Sequence, residues 1–270
     1  MSIPDANNKF AIDMYKSLNS DTDNVFFSPY SIFSAIGMLY EGANGKTKDE
    51  IGDVFYFPSD DANRLMGLKD LNNVINKKEK KYSLHVANAL WMQKEYKLLE
   101  SYLKTVKDNY DGELRNLDFK KESEKSRVTI NKWVEDKTND KIKDLIPPGV
   151  INSLTRLVLT NAIYFKGDWK REFNEKNTRP DLFRSDETTE IWVDMMQSTD
   201  EKSRFRYTEN KNVQVLELPY SGEELSMILL LPKYQTEDEM DPMIAMTRVE
   251  KVLSFDYLKI KIKTKQKCNL

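Results

Sequence analysis

In the first third of the chain, apolar residues recur every three or four positions, the spacing of one helix face. Over residues 7–18 the stripe is Phe10, Met14 and Leu18, widened by Ala11 and Tyr15. Ser28-Pro29 opens a second helix, a capping residue followed by a proline suited to the first turn. That helix carries Ile32, Ala35, Ile36 and Leu39 and ends near Gly42. Its apolar flanks predict burial all round. Residues 47–54 and 62–76 read as two more helices. Over residues 82–92 the period changes: Leu84, Val86, Ala89, Leu90 and Trp91 fit a strand in a covered sheet.

Residues 100–110 return to helix, and residues 123–138 form an amphipathic one with Val128, Trp133 and Val134 placed inward. Pro147-Pro148-Gly149 breaks the chain. The run 157–165, bounded by Gly167, reads as a central strand. Residues 205–207, 213–218 and 225–231 are short strands, and residues 236–255 hold two small helices. From 258 to 268 the chain alternates strictly. Lys259, Lys261, Lys263, Lys265 and Lys267 face one way, and Leu258, Ile260, Ile262, Thr264, Gln266 and Cys268 the other. This is the pattern of a half-buried antiparallel strand. Helices first and sheets later, without regular alternation, predict an α+β fold. No internal repeat or linker divides residues 1–270, so a single domain is expected.

Composition narrows the chemistry. With 42 basic and 44 acidic residues the net charge is −2, so no field of one sign draws in nucleic acid. The longest apolar runs, 157–165 and 225–231, are too short to cross a bilayer. The start, Met1-Ser2-Ile3-Pro4-Asp5, lacks the basic and apolar regions of a signal peptide. A cytoplasmic location is therefore expected, an extracellular one being the alternative if a leader has been removed. The one cysteine, Cys268, cannot form an intramolecular disulfide.

An enzyme is not expected. His85 is the one histidine, which rules out a zincin His pair, and no Gly-x-Ser-x-Gly elbow presents a nucleophile. Gly45-Lys46-Thr47 looks like the end of a phosphate loop, yet Tyr40 stands where that loop needs its first glycine. No metal or cofactor is implied. Lys77, Lys78, Lys80 and Lys81, with Glu79 among them, read as a solvated loop and not as a glycosaminoglycan site.

Several stretches resemble the serpin family, in the family's order and across nearly the whole chain. Asn24-Val25-Phe26-Phe27-Ser28-Pro29-Tyr30-Ser31-Ile32, with Gly42-Ala43-Asn44-Gly45-Lys46-Thr47, resembles the buried second helix and the turn after it. Leu154-Thr155-Arg156-Leu157-Val158-Leu159-Thr160-Asn161-Ala162-Ile163-Tyr164-Phe165-Lys166-Gly167-Asp168-Trp169 resembles the third strand of the family's large sheet. Ile146-Pro147, Val193-Asp194-Met195-Met196 and Leu216-Glu217-Leu218-Pro219-Tyr220 add further matches. The terminal strand resembles the sixth strand of that sheet, with Ile260 where a proline is usual and Cys268 where an aromatic is.

The resemblance implies an inhibitor of serine proteases, with cysteine proteases as alternative targets. In such proteins a reactive loop is cut by the protease and inserts as an extra strand into the large sheet. It further implies a polar shutter beneath the sheet formed by Ser28, Ser31 and Asn161, and a breach at its top formed by Trp169 and Lys261. Ser28 also reads as a plain helix cap, Trp169 as core filler and Lys261 as one tooth of the lysine comb. Set against the family pattern, the chain is expected to stop before the reactive loop, so that alone it inhibits nothing. A non-inhibitory serpin acting in binding, storage or chaperoning is the alternative.

Overall fold

The computed structural model describes residues 1–18, 24–77, 81–185, 188–198, 204–235, 241–254, 256 and 266–269, the last four and Arg204 by backbone alone. Helices and sheets are mixed as the sequence predicts. The chain divides into two compact units: Met1–Met14, Phe26–Glu79 and Ser83–Lys166 form the first, and Tyr15–Val25, Lys80–Tyr82 and Gly167–Leu270 the second.

Six helices enter the first unit: α1 (Ile3–Leu18), α2 (Pro29–Gly42), α3 (Gly45–Phe55), α4 (Asp61–Ile75), α5 (Glu100–Tyr110) and α6 (Ser123–Lys137). Three strands, β1 (Tyr82–Gln93), β2 (Gly112–Leu117) and β3 (Leu157–Gly167), form one sheet in the order β2-β1-β3. β1 and β2 run parallel from Asn88↔Gly112 to Gln93↔Leu117. A parallel pair needs a crossover, and α5 supplies it.

Strand alternation sends Asn88, Leu90 and Met92 of β1 to one face and Ala89, Trp91 and Gln93 to the other, all buried. Ala89 and Trp91 of the second set join Ile130, Trp133 and Val134 of α6 in one core, where the rings of Trp91 and Trp133 meet edge to face at 5.8 Å. Away from the sheet, Phe10, Phe33, Phe55 and Phe57 stack α1, α2 and α3 together, with centroids 4.4 Å apart for Phe10–Phe55 and 4.6 Å for Phe33–Phe57. Helices α2 and α5 approach so closely that a Cβ on Gly37 would lie 2.7 Å from the Tyr110 ring. Arg64 of α4 is fully buried. Its guanidinium grips Glu41 through two bonds of 2.9 Å and donates to the Pro58 carbonyl at 2.8 Å.

The second unit contains a hairpin of β4 (Arg179–Arg184) and β5 (Glu190–Met195), paired antiparallel. It also contains a four-stranded sheet ordered β8-β7-β6-β9, made of β6 (Arg204–Glu209), β7 (Val213–Pro219), β8 (Ser226–Pro232) and β9 (Gln266–Asn269). Helix α7 (Pro242–Val252) sets Val249 against Val213 and Val215.

The structure differs from the sequence expectations in four places. Val128 is 51% exposed. It lies two residues, or about 200° of helix rotation, from both Ser126 and Ile130, which are buried. The run 157–165 forms a strand with a neighbour on one side only among the described residues, and only Thr160 and Ala162 of β3 are buried. Strands β2, β4 and β5 have no counterpart in the sequence reading. Of the terminal strand, only Gln266–Asn269 is described. It pairs antiparallel with β6, satisfying the backbone groups of that strand's outer edge, and is not in the sheet of β3.

Candidate functional site

Where α2 crosses beneath the three-stranded sheet, a chain of buried polar side chains joins helix to strands. Asn88 Nδ2 donates to Ser34 Oγ at 3.0 Å, and Asn161 Nδ2 donates to Asn88 Oδ1 at 2.6 Å. Ser34 is inaccessible to solvent, Asn88 is 2% exposed and Asn161 is partly buried. Buried amides and hydroxyls are tolerated because they are paired, and here each bond crosses from one element to the next.

The neighbouring residue is tied on the opposite face. Trp91 Nε1 donates to Thr160 Oγ1 at 2.8 Å, and that hydroxyl lies 3.5 Å from the Ala89 carbonyl. Consecutive residues of β3 thus hold β1 from both sides of the sheet. Among the described residues the other edge of β3 carries no strand.

The expected shutter residues are distributed as follows. Ser28 caps α2, its Oγ accepting from Ser31 N–H at 3.3 Å. Ser31 is buried and its hydroxyl has no hydrogen-bond partner among the described residues. Asn161 belongs to the polar chain, but its partner there is Asn88. Ser28, Ser31 and Ser34 follow at three-residue spacing along one stripe of α2, and it is Ser34 that engages the sheet. Ser34, Asn88 and Thr160 thus join the site in addition to the residues the resemblance implies. A sequence signal existed for Asn88 and Thr160, as polar residues within otherwise apolar strand runs, whereas Ser34 looks like any helical serine. On the same helix Tyr30 donates to Asn72 Oδ1, and burial pushes its hydroxyl pKa well above the ordinary tyrosine value.

Trp169 lies flat on Tyr220, with ring centroids 4.5 Å apart and planes 12° from parallel. Their backbones form an antiparallel bridge, flanked by Lys170 N–H to the Pro219 carbonyl at 2.9 Å and Ser221 N–H to the Asp168 carbonyl at 2.8 Å. A Lys170–Glu223 ion pair of 2.6 Å closes the turn. Lys261 lies outside the described residues.

Where β1 ends, Asp118 takes a 2.6 Å ion pair from Lys94, the Lys121 N–H and a bond from Gln93 Nε2. The lysine ammonium holds its carboxyl down to about 2. His85 is exposed on β1, its ring 6.3 Å from that of Tyr164. Among the described residues no group of three or more His, Cys, Asp or Glu side chains is placed to hold a metal ion. No helix there is long and apolar enough to cross a membrane.

Comparison with known proteins agrees with this architecture. The family model described as Serpin (serine protease inhibitor) matches residues 5–267. An uncharacterized serpin-like protein of Methanosarcina acetivorans is 45% identical over 232 residues, covering 84% of this chain and 54% of that protein. A leukocyte elastase inhibitor of Equus caballus is 38% identical over 257 residues, covering 94% of this chain and 66% of the inhibitor. The structure of emu ovalbumin superposes with a TM-score of 0.89 at 30% identity, covering all of this chain and 72% of that one. The chain spans about half the length of the archaeal relatives it matches. With these matches and a helix-backed sheet in the same arrangement, the chain belongs to the serpin family.

Proposed function

We propose that this chain is part of a single serpin domain whose whole form inhibits serine proteases by inserting its cleaved loop beside β3. The observation that carries the reading is the one-sided anchoring of β3. Thr160 and Asn161 bind it to β1, while its far edge bears no strand among the described residues. A sheet that must accept a strand needs one side that stays fixed and one that opens. The buried Ser31 hydroxyl, lacking a partner among the described residues, fits a polar cluster completed by an added strand. In this reading Ser28, Ser31 and Asn161 serve the shutter together with Ser34 and Asn88. Trp169 and Lys261 serve the breach. The protein acts on proteases as an inhibitor and is not itself an enzyme, and its place is cytoplasmic.

The relative named leukocyte elastase inhibitor directs the test toward elastase-like enzymes first. A chimera continues the 270 residues with the corresponding remainder of that inhibitor and is incubated with elastase-, trypsin- and subtilisin-like proteases. The expected result is a complex that survives denaturing gels, and none for the 270-residue polypeptide by itself. Cleavage of the chimera without a stable complex and without a gain in thermal stability would refute the inhibitory reading, leaving a binding or storage role.

A further inference from the structure

Asn44-Gly45 is the one Asn-Gly pair in the 270 residues. Both residues are exposed, and Asn44 caps α3 by accepting the Gly45 N–H on Oδ1 at 2.8 Å. The side-chain carbonyl carbon is bonded to that oxygen, so it is held beside the backbone nitrogen that could attack it. Gly45 has φ +55° and nothing within 4 Å of where a Cβ would stand, so its own lack of a side chain leaves the pair free of steric hindrance on that side.

The start of α3 is also electrostatically weak. Its first turn contains Lys46 and Lys48 and no acidic residue, which sets positive charge at the positive end of the helix dipole. Lys46 finds Glu50 at 3.2 Å, and Lys48 sits over the Tyr40 ring at 5.0 Å, 4.0 Å from Asp61. None of these partners adds negative charge at the cap itself.

We propose that Asn44 is a self-modification site at which the protein converts its own amide into a carboxylate. The Gly45 nitrogen bonds to Asn44 Cγ and the Cγ–Nδ2 bond breaks. Nδ2 leaves as ammonia, carrying the proton that the Gly45 nitrogen loses. Water then adds to one of the two carbonyl carbons of the five-membered imide and opens the ring. One opening gives aspartate; the other gives isoaspartate, with the backbone routed through the side chain. No oxidant, reductant or enzyme is required.

The two products differ in consequence. Aspartate keeps the cap oxygen and adds a negative charge that the dipole and both lysines favour, so it tightens the first turn. Isoaspartate lengthens the backbone by one carbon and displaces the cap. This loosens a helix whose last residue, Phe55, stacks on Phe10.

The test ages the purified chain in warm, mildly alkaline buffer and follows peptide masses. The peptide containing Asn44 should gain about 1 Da and split into two products, one of them a substrate for an isoaspartyl methyltransferase. It should do so at least about tenfold faster than peptides containing the other asparagines, a barrier difference of about 1.4 kcal/mol. Asn44→Ser, which keeps a cap but has no amide, should abolish the shift. Asn44→Asp, made directly, should raise the thermal midpoint by about 1–3 °C. A rate at Asn44 no greater than at other asparagines, or a lower midpoint for Asn44→Asp, would overturn the proposal.

Discussion

Replacing Asn88 by alanine removes the centre of the polar chain and both of its bonds. Ser34 Oγ, inaccessible to solvent, loses its donor, and the Asn161 amide loses its acceptor. Each lost bond contributes about 0.5–1.5 kcal/mol net, so the variant should lose about 1–3 kcal/mol. A domain retains only about 5–15 kcal/mol in total, which makes this a large fraction. The assay is urea unfolding followed by tryptophan fluorescence in a Trp169→Phe, Trp192→Phe background. Only Trp91 and Trp133 then report, and both lie in the unit that contains the chain. With a slope near 3 kcal/mol per molar urea, the midpoint should fall by about 0.3–1 M. Asn73→Ala, an exposed asparagine on α4, is the control and should shift stability by no more than about 0.5 kcal/mol. A cycle with Ser34→Ala should give a coupling of at least about 0.5 kcal/mol. Equal shifts for Asn88→Ala and Asn73→Ala, or zero coupling between positions 34 and 88, would show that the chain contributes nothing.

Three further outcomes follow from charges and backbone. Arg64→Met strands the Glu41 carboxylate, whose side chain is 7% exposed, and should cost about 3–5 kcal/mol; Arg64→Leu with Glu41→Leu should recover much of that. Asp118 has its pKa lowered from 3.8 to about 2 by the Lys94 ammonium, so its contribution is complete above the unfolded value and is lost as pH falls through the folded one. The stability gap between wild type and Asp118→Asn, measured by urea titration, should therefore close between about pH 4 and pH 2. Asp140 occupies the left-handed region at φ +58°, and Asp140→Gly should raise stability by about 1 kcal/mol in the same measurement.

What the sequence disclosed depended on how local the cause was. Helix α2 was legible because Ser28 and Pro29 mark its start and its apolar flanks its burial. β1 was legible from the Leu84–Met92 run. β2 was not: Gly112-Glu113-Leu114-Arg115-Asn116-Leu117 has little apolar patterning and is a strand because α5 returns the chain parallel to β1. Val128 is apolar yet faces outward, because it lies about 200° of helix rotation from the buried Ser126 and Ile130. At the site, Asn161 was recognisable as a polar residue in an apolar run. Its partners were not, because Ser34 lies 54 residues from Asn88 and Asn88 lies 73 from Asn161. Only the tertiary crossing of helix and sheet brings those distances to bonding range.

The paired anchoring of Thr160 and Asn161 also works as an alignment key. If β3 slid one residue along β1, every side chain would change face, sending the Asn161 amide toward the α6 core. A slide of two residues keeps the faces but sets Leu159 or Ile163 against Asn88, and Val158 or Ala162 against the Trp91 indole. No neighbouring offset satisfies both the amide and the indole. β3 therefore has one admissible position on β1, and any strand laid along its far edge is measured from that mark.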